Sequence, residues 1–182
     1  MNEAVLPVIR PVTTADDLDR LTRLIHAAYA PQAAKGLRYW GTHQSVQDTA
    51  RRFDAGQGLV AELDGDYVGT ITVRPPNADS PVALYRDPNT WTIGQFAVEP
   101  AMKGRGLGKA LHDAAVGHAS RNGATTMALD TAAPADALIG MYRAWGYTLV
   151  GEHDWRPHTN YLSVVMMRPI GATVTKHHSS NP

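Results

Sequence analysis

Between Val98 and Leu111 three alternate glycines, Gly104, Gly106 and Gly108, stand among Lys103, Arg105 and Lys109. A strand-like run precedes them and a segment of helical period follows. That order places a bare, basic backbone loop at the start of a helix. Unsatisfied N–H groups and the positive end of the helix dipole converge there, which suits phosphate or pyrophosphate. A phosphorylated cofactor is therefore expected. A nucleoside-triphosphate loop needs Gly, four residues, then Gly-Lys-Ser/Thr. Here Lys103 stands at the first Gly position and Ala110 offers no hydroxyl to magnesium. A dinucleotide fingerprint needs a third Gly where Lys109 stands, and its strand–helix–strand context is missing. A plain glycine-rich surface turn is the structural alternative.

The elements that must hold this loop can be read from period and punctuation. Val8–Val12 reads as a strand. A cap-like Thr14–Asp17 precedes Leu18, Leu21, Leu24, Ile25 and Ala28 at helical spacing, up to Pro31. Ser45–Asp48 opens a second helix that stops near Gly56. Strands at Leu59–Leu63 and Tyr67–Val73 flank a turn at Asp64–Asp66. Pro75 to Asn89 reads as a long loop and Trp91–Val98 as a strand. A helix from Leu107 stops at Asn122–Gly123, followed by a strand at Thr126–Asp130. Pro134 opens a helix carrying Leu138, Ile139, Tyr142 and Trp145, and Gly146 closes it. Tyr147–Val150 and Tyr161–Met167 are the last strands. The order implies a mixed sheet of about seven strands with helices on both faces, in the α/β or α+β class.

Bulk properties narrow the function. Lys plus Arg and Asp plus Glu number 17 each, so no net field draws nucleic acid or an anionic membrane. Any anion site must be local. The chain has no Cys, which excludes disulfides, thiolate metal sites and a cysteine nucleophile. No His pair is spaced as a metal site, so no metal is expected. With 182 residues, one domain over 8–170 is expected, with flexible tails at 1–7 and 171–182. Met1–Ala4 lacks a basic stretch leading into an apolar one, and no window reaches the ~18 apolar residues of a membrane span. A cytoplasmic protein is the expectation.

Lys103-Gly104-Arg105-Gly106-Leu107-Gly108 resembles the acyl-CoA loop of the GNAT superfamily of N-acetyltransferases, Arg/Gln-x-x-Gly-x-Gly/Ala. Lys103 replaces the usual first residue and keeps the charge. Leu129-Asp130-Thr131, followed by Met141 to Tyr147, is similar to the family's fifth strand and the Leu-Tyr-x-x-x-Gly-Phe end of its fourth helix. The resemblance runs from about Ile9 to Arg168 and includes the element order. It implies a GNAT-like acyl-CoA N-acyltransferase fold with a mostly antiparallel sheet. It also implies acetyl-CoA as donor and a primary amine as acceptor, joined by direct attack through a tetrahedral intermediate.

On that resemblance, backbone N–H groups from Arg105 to Lys109 would bind the pyrophosphate. Lys103, Arg105 and Lys109 either screen its charge or stand as solvated cations. Phe96, Ala97 and Val98 would meet the pantetheine arm between splayed fourth and fifth strands, and an N–H near Val98 would face the oxyanion. Tyr142 takes the general-acid position. Its ordinary pKa of ~10 exceeds the ~8.5 of a thiol, so it is protonated at neutral pH; a core aromatic is the plainer reading. An Asn expected seven residues before it is replaced by Ala135, which removes one cofactor contact. The family's fourth-strand carboxylate position holds Gln95, able to orient a water or the acceptor but not to take a proton. Glu99 is the nearest carboxylate. Six histidines, His26, His43, His112, His118, His153 and His158, are bases by pKa alone. The acceptor walls are expected from Tyr29, Arg38, Tyr39, Trp40, His43, Trp155, His158 and Tyr161, for a small polar or aromatic amine. Ala135 and Gln95 leave an alternative open, an acyl-CoA-binding sensor without catalysis. Homodimers are common for the fold by analogy.

Overall fold

The computed structural model describes residues 6–171. The expected flexible tails fall almost wholly outside them. β1 (Val8–Pro11) leads to α1 (Leu18–Ala34). The expected cap region works through its last residue: Asp17 accepts the Arg20 N–H at 3.0 Å, while Asp16 is drawn away by Arg10. Pro31 does not end α1. It falls in the last turn, where a missing N–H costs one bond, and the helix runs on to Ala34. α2 (Val46–Asp54) opens on a complete capping box. Ser45 Oγ accepts the Asp48 N–H at 3.1 Å and Asp48 Oδ2 accepts the Ser45 N–H at 2.8 Å.

β2 (Gln57–Leu63) and β3 (Asp66–Arg74) form a hairpin. Its turn residues Asp64 and Gly65 have φ of 51° and 82°, a geometry that matches the strand twist. A short α3 (Ala83–Arg86) interrupts the expected proline-rich loop. It is too brief to show a helical period. Packing supports it, with Val82 and Tyr85 buried against Ala128 and Val165. The chain continues through β4 (Thr90–Val98), α4 (Leu107–Arg121), β5 (Thr126–Ala132), α5 (Asp136–Ala144), β6 (Thr148–Asp154) and β7 (Leu162–Pro169).

The sheet order is β1-β2-β3-β4-β5-β7-β6. Every pairing is antiparallel except β4 with β5. Leu107, Leu111, Ala115 and Ala119 recur every fourth residue along α4. They pack with Ile71, Val73, Met127 and Met166 in the larger core. Leu21, Leu24 and Phe53 from α1 and α2 cover Val60 in a second cluster.

Two irregularities in β4 open the sheet at its centre. Thr70 pairs with Ala97 and Thr72 with Gly94, so Gln95 and Phe96 bulge opposite Ile71. Gln95 has a φ of 51°, which residues other than Gly seldom adopt. The parallel pairing to β5 covers only Thr90–Thr92 with Thr126–Ala128. Beyond it the two strands part.

At the β1 end, the Asp16 carboxylate accepts Arg10 Nη1 and Nη2 at 2.9 and 2.7 Å, the Thr13 N–H at 2.8 Å and the Tyr67 hydroxyl at 2.8 Å. Its side chain is 4% exposed. The Arg10 guanidinium holds its pKa well below the usual carboxylate range. The folded pKa lies below the unfolded one, so the stabilisation is complete above about pH 4 and is lost as pH falls toward the native value. Asp16→Asn is expected to cost about 1–3 kcal/mol near neutral pH. It should also flatten the acid loss of stability below about pH 4, read by urea melts.

Candidate active site

The parted strands open a cavity of about 980 Å³. Ile93 to Val98 of β4 and Leu129 to Thr131 of β5 line its two walls. β4 keeps β3 on its other side and β5 keeps β7, so each strand turns one unpaired backbone edge inward. Such edges suit an extended, amide-bearing chain. Phe96, Ala97 and Val98 lie where the sequence places them, on the β4 wall.

The glycine loop closes one end. Gly104, Gly106 and Gly108 line the cavity with Lys103 and Lys109, whereas Arg105 and Leu107 do not. Gly106 is the N-cap of α4 and takes a φ of 80°. It has no capping side chain, and the first helix-type bond at that end is Ala110 N–H to Gly106 C=O at 3.0 Å. The N–H groups of Gly106 to Lys109 have no acceptor among the described residues. That is a built cradle for an anion. Lys103 is exposed, while Lys109 Nζ is tied to Asp113 at 2.5 Å. Leu107 is buried in the core, so only its backbone is available to a ligand.

Tyr142 sits on α5 at the middle of the cavity, edge-on to Trp145 and Tyr147. Its hydroxyl bonds to no described residue, and burial holds its pKa well above the ordinary phenol value. It is a protonated, free donor. Ala135 is the N-cap of α5 and packs with Tyr39, Ala132 and Tyr161, off the cavity wall. Gln95 does line the cavity, but its amide is held at both ends. Gln44 Nε2 donates to Gln95 Oε1 at 2.6 Å, and Gln95 Nε2 donates to Thr72 Oγ1 at 3.1 Å. Arg52 Nη1 donates to Gln44 Oε1 at 2.7 Å, which extends the chain. The Glu99 N–H closes onto Val68 C=O at 2.9 Å, and its carboxylate is not among the groups lining the cavity.

The other end is aromatic. Tyr29, Tyr39, Trp40, Trp155 and Tyr161 all face it, with His158. Tyr39 stacks between Tyr29 and Tyr161 with centroids 5.5 and 4.9 Å away. Its hydroxyl shares a hydrogen bond with Thr131 Oγ1 and accepts the Ala132 N–H at 3.2 Å, tying this wall to β5. Arg38 and His43 lie off the cavity; Arg38 instead holds the segment before β7, its N–H donating to Asn160 Oδ1. His112 is buried inside the core, 2.9 Å from the Tyr147 hydroxyl.

No role is expected from the sequence for three polar residues of this end, although Asp130 lies in the Leu129-Asp130-Thr131 stretch. Asp130 is the one carboxylate that lines the cavity among the described residues. The Tyr85 hydroxyl donates to its Oδ1 at 2.8 Å and Trp155 Nε1 to its Oδ2 at 3.1 Å. Arg52 and Arg74 line the same end. Asp130 is the one charged residue in the run TMALDTA of β5, and that is the signal that could have found it. Nothing local marks the arginines, which come from the polar side of α2 and the last residue of β3. No helix among the described residues is long and apolar enough to cross a membrane. No group of three or more His, Asp or Glu suited to a metal occurs among them.

A model of the Acetyltransferase (GNAT) family matches residues 20–147. The S-alkylcysteine N-acetyltransferase of Bacillus subtilis (strain 168) is 28% identical over 147 residues, covering 79% of this chain and 80% of the relative. The S-(2-succino)cysteine N-acetyltransferase of the same strain is 30% identical over 140 residues, covering 76% and 82%. A crystal structure of a GNAT family acetyltransferase from Elizabethkingia anophelis with acetyl-CoA bound shares the fold. Its TM-score is 0.67 at 12% identity, over 92% of this chain and 100% of that one.

A Cβ at Gly106 would meet nothing within 4 Å, so its φ of 80° is the whole reason for Gly there. Gly106→Ala is expected to cost about 1 kcal/mol of stability, read by urea melts. It should also weaken inorganic pyrophosphate binding in calorimetry.

Proposed function

The chain belongs to the GNAT acetyltransferase family, and on that premise we propose that it moves the acetyl group of acetyl-CoA to the primary amine of a small molecule. The observation that carries this reading is the free, protonated Tyr142 hydroxyl of α5 lining a cavity walled by two strand edges that do not pair with each other, with an anion cradle at one end and an aromatic pocket at the other. The residues present fit the donor. The Gly104–Lys109 backbone holds the pyrophosphate, with Lys103 the freest cation beside it. The inner edges of Phe96 to Val98 pair with the pantetheine amides. The Val98 backbone is placed to meet an oxyanion, and one such donor is worth ~2.7–4 kcal/mol of transition-state stabilisation in comparable sites.

The acceptor enters from the end lined by Tyr29, Tyr39, Trp40, Trp155 and Tyr161. Its neutral amine attacks the thioester carbonyl, so a C–N bond forms and the C–S bond breaks. The Tyr142 hydroxyl gives its proton to the departing sulfur, and the proton that the amine loses passes through solvent to restore the phenol. Glu99, the nearest carboxylate in sequence and the candidate base, lies off the cavity, and Asp130 is the carboxylate that faces the acceptor. Gln95 serves by position rather than by proton transfer, since its amide keeps the β4 bulge in place. The two Bacillus subtilis relatives are named for acetylating cysteine derivatives, which supports a small amine-bearing acceptor.

Tyr142→Phe is expected to lower kcat by about 100-fold or more. The Kd for acetyl-CoA should stay nearly unchanged by calorimetry. Equal turnover by the variant would remove the general-acid role. Because the Tyr142 pKa is raised, the hydroxyl stays protonated as pH climbs, so kcat should show no Tyr142-dependent fall below about pH 10. Tight acetyl-CoA binding without thiol release across a broad amine panel would favour a sensor.

A further inference from the structure

We propose that the acceptor amine carries a carboxylate, and that Arg52 and Arg74 bind it at the aromatic end of the cavity. The inference rests on the acetyl-transfer reading for its substrate, but its evidence is separate. Arg52 on α2 and Arg74 at the end of β3 converge on one face of Gly94. A Cβ built there would lie 2.9 Å from Arg74 Nη2 and 3.5 Å from Arg52 Nη2. Both side chains line the cavity.

Neither guanidinium has an anionic partner among the described residues. Arg52 donates to the neutral Gln44 Oε1 at 2.7 Å. Arg74 Nε is buried without any acceptor. Asp130, the cavity's carboxylate, already accepts from Tyr85 and Trp155 and forms no ion pair with either arginine. Desolvation pushes the Arg52 pKa down to about 10, and Arg74 is a further cause of that lowering. Two like charges are thus held together, partly dehydrated, with donors unspent.

That arrangement destabilises the free protein unless an anion completes it. The forked geometry of two guanidiniums matches a carboxylate. The phosphates of the donor belong elsewhere. Gly94 and the loop lie on opposite sides of the Gln95 bulge, and the loop has its own free N–H groups. With Asp130 nearby, the end offers a cationic pair for a carboxylate and an anion for an ammonium. An amino acid has both groups.

The test titrates CoA-loaded protein calorimetrically with free amino acids bearing small, branched, thioether, aromatic and acidic side chains. Each is paired with its carboxamide. γ-Aminobutyrate separates a distal carboxylate from one beside the amine. At least one free acid should bind about 10- to 100-fold more tightly than its carboxamide. Arg74→Met and Arg52→Gln should each erase that preference; Arg74→Met, which lies outside the Gln44 network, should leave the acetyl-CoA Kd unchanged. Arg52→Gln also touches the Gln44 network. Arg74→Met breaks no hydrogen bond and is expected to raise the Tm of the free protein while weakening carboxylate binding, a pairing that a merely structural arginine would not give. Equal binding of acid and carboxamide in every pair, or a preference that survives both variants, overturns the assignment. Thiol release judges the other reading. Uncharged amines acetylated as well as free acids would sink the carboxylate site and spare acetyl transfer. Carboxylate-dependent binding without any acetyl transfer would do the reverse.

Discussion

β4 and β5 hydrogen-bond at Thr90–Thr92 and Thr126–Ala128 and then separate, leaving two strand edges open toward each other. Backbone groups in a protein interior need partners. Over Ile93–Val98 and Leu129–Thr131 the two strands do not pair with each other, so the edges that face each other can take something extended lying between them. The bulge at Gln95 and Phe96 keeps the gap in place. Its positive φ is an unfavourable conformation, and the surrounding structure over-determines it. The buried chain from Arg52 through Gln44 and Gln95 to Thr72 is what does so. A network of that kind is rigid when every member is satisfied.

The gap sets the positions of the other parts. Its lower end points into the start of α4, where Gly106 replaces a capping side chain with open N–H groups. Its middle faces α5 and Tyr142, whose burial keeps a proton on the phenol. Its upper end meets the aromatic wall from α1, the segment after it and the stretch before β7. The charges follow the same division. Groups suited to an anion stand at both ends, backbone at the loop and guanidiniums at Gly94, while Asp130 stands among the aromatics. A net charge of zero conceals this arrangement.

Stability and function pull apart in different places. Asp16 with Arg10 and Tyr67 is fully partnered and serves only the fold. Arg74 with its orphaned Nε, and the uncapped start of α4, are incomplete in the protein alone. Unfinished polar groups of this sort cost folding energy and gain meaning from a ligand.

The family motif, the element order and the glycine loop at the start of α4 were legible in the sequence, because each rests on residues close in the chain. Gly104 to Lys109 need only a helix start, and Tyr142 needs only its place on α5. The aromatic wall was legible as residue types, and all five of its members meet at one cavity. The short α3 was not legible, since contacts with distant strands rather than a helical period support it. Glu99 was the nearest carboxylate in sequence, yet the strand end carries it off the cavity, and Asp130 faces inward instead. Arg52 and Arg74 lie 22 positions apart on a helix and a strand. Only the packing of α2 over the sheet brings them to Gly94. Local chemistry was thus determined by the sequence itself, through periodicity and backbone freedom. The charge that lines the aromatic end of the cavity was decided by tertiary structure, because it depends on which distant side chains share one desolvated space.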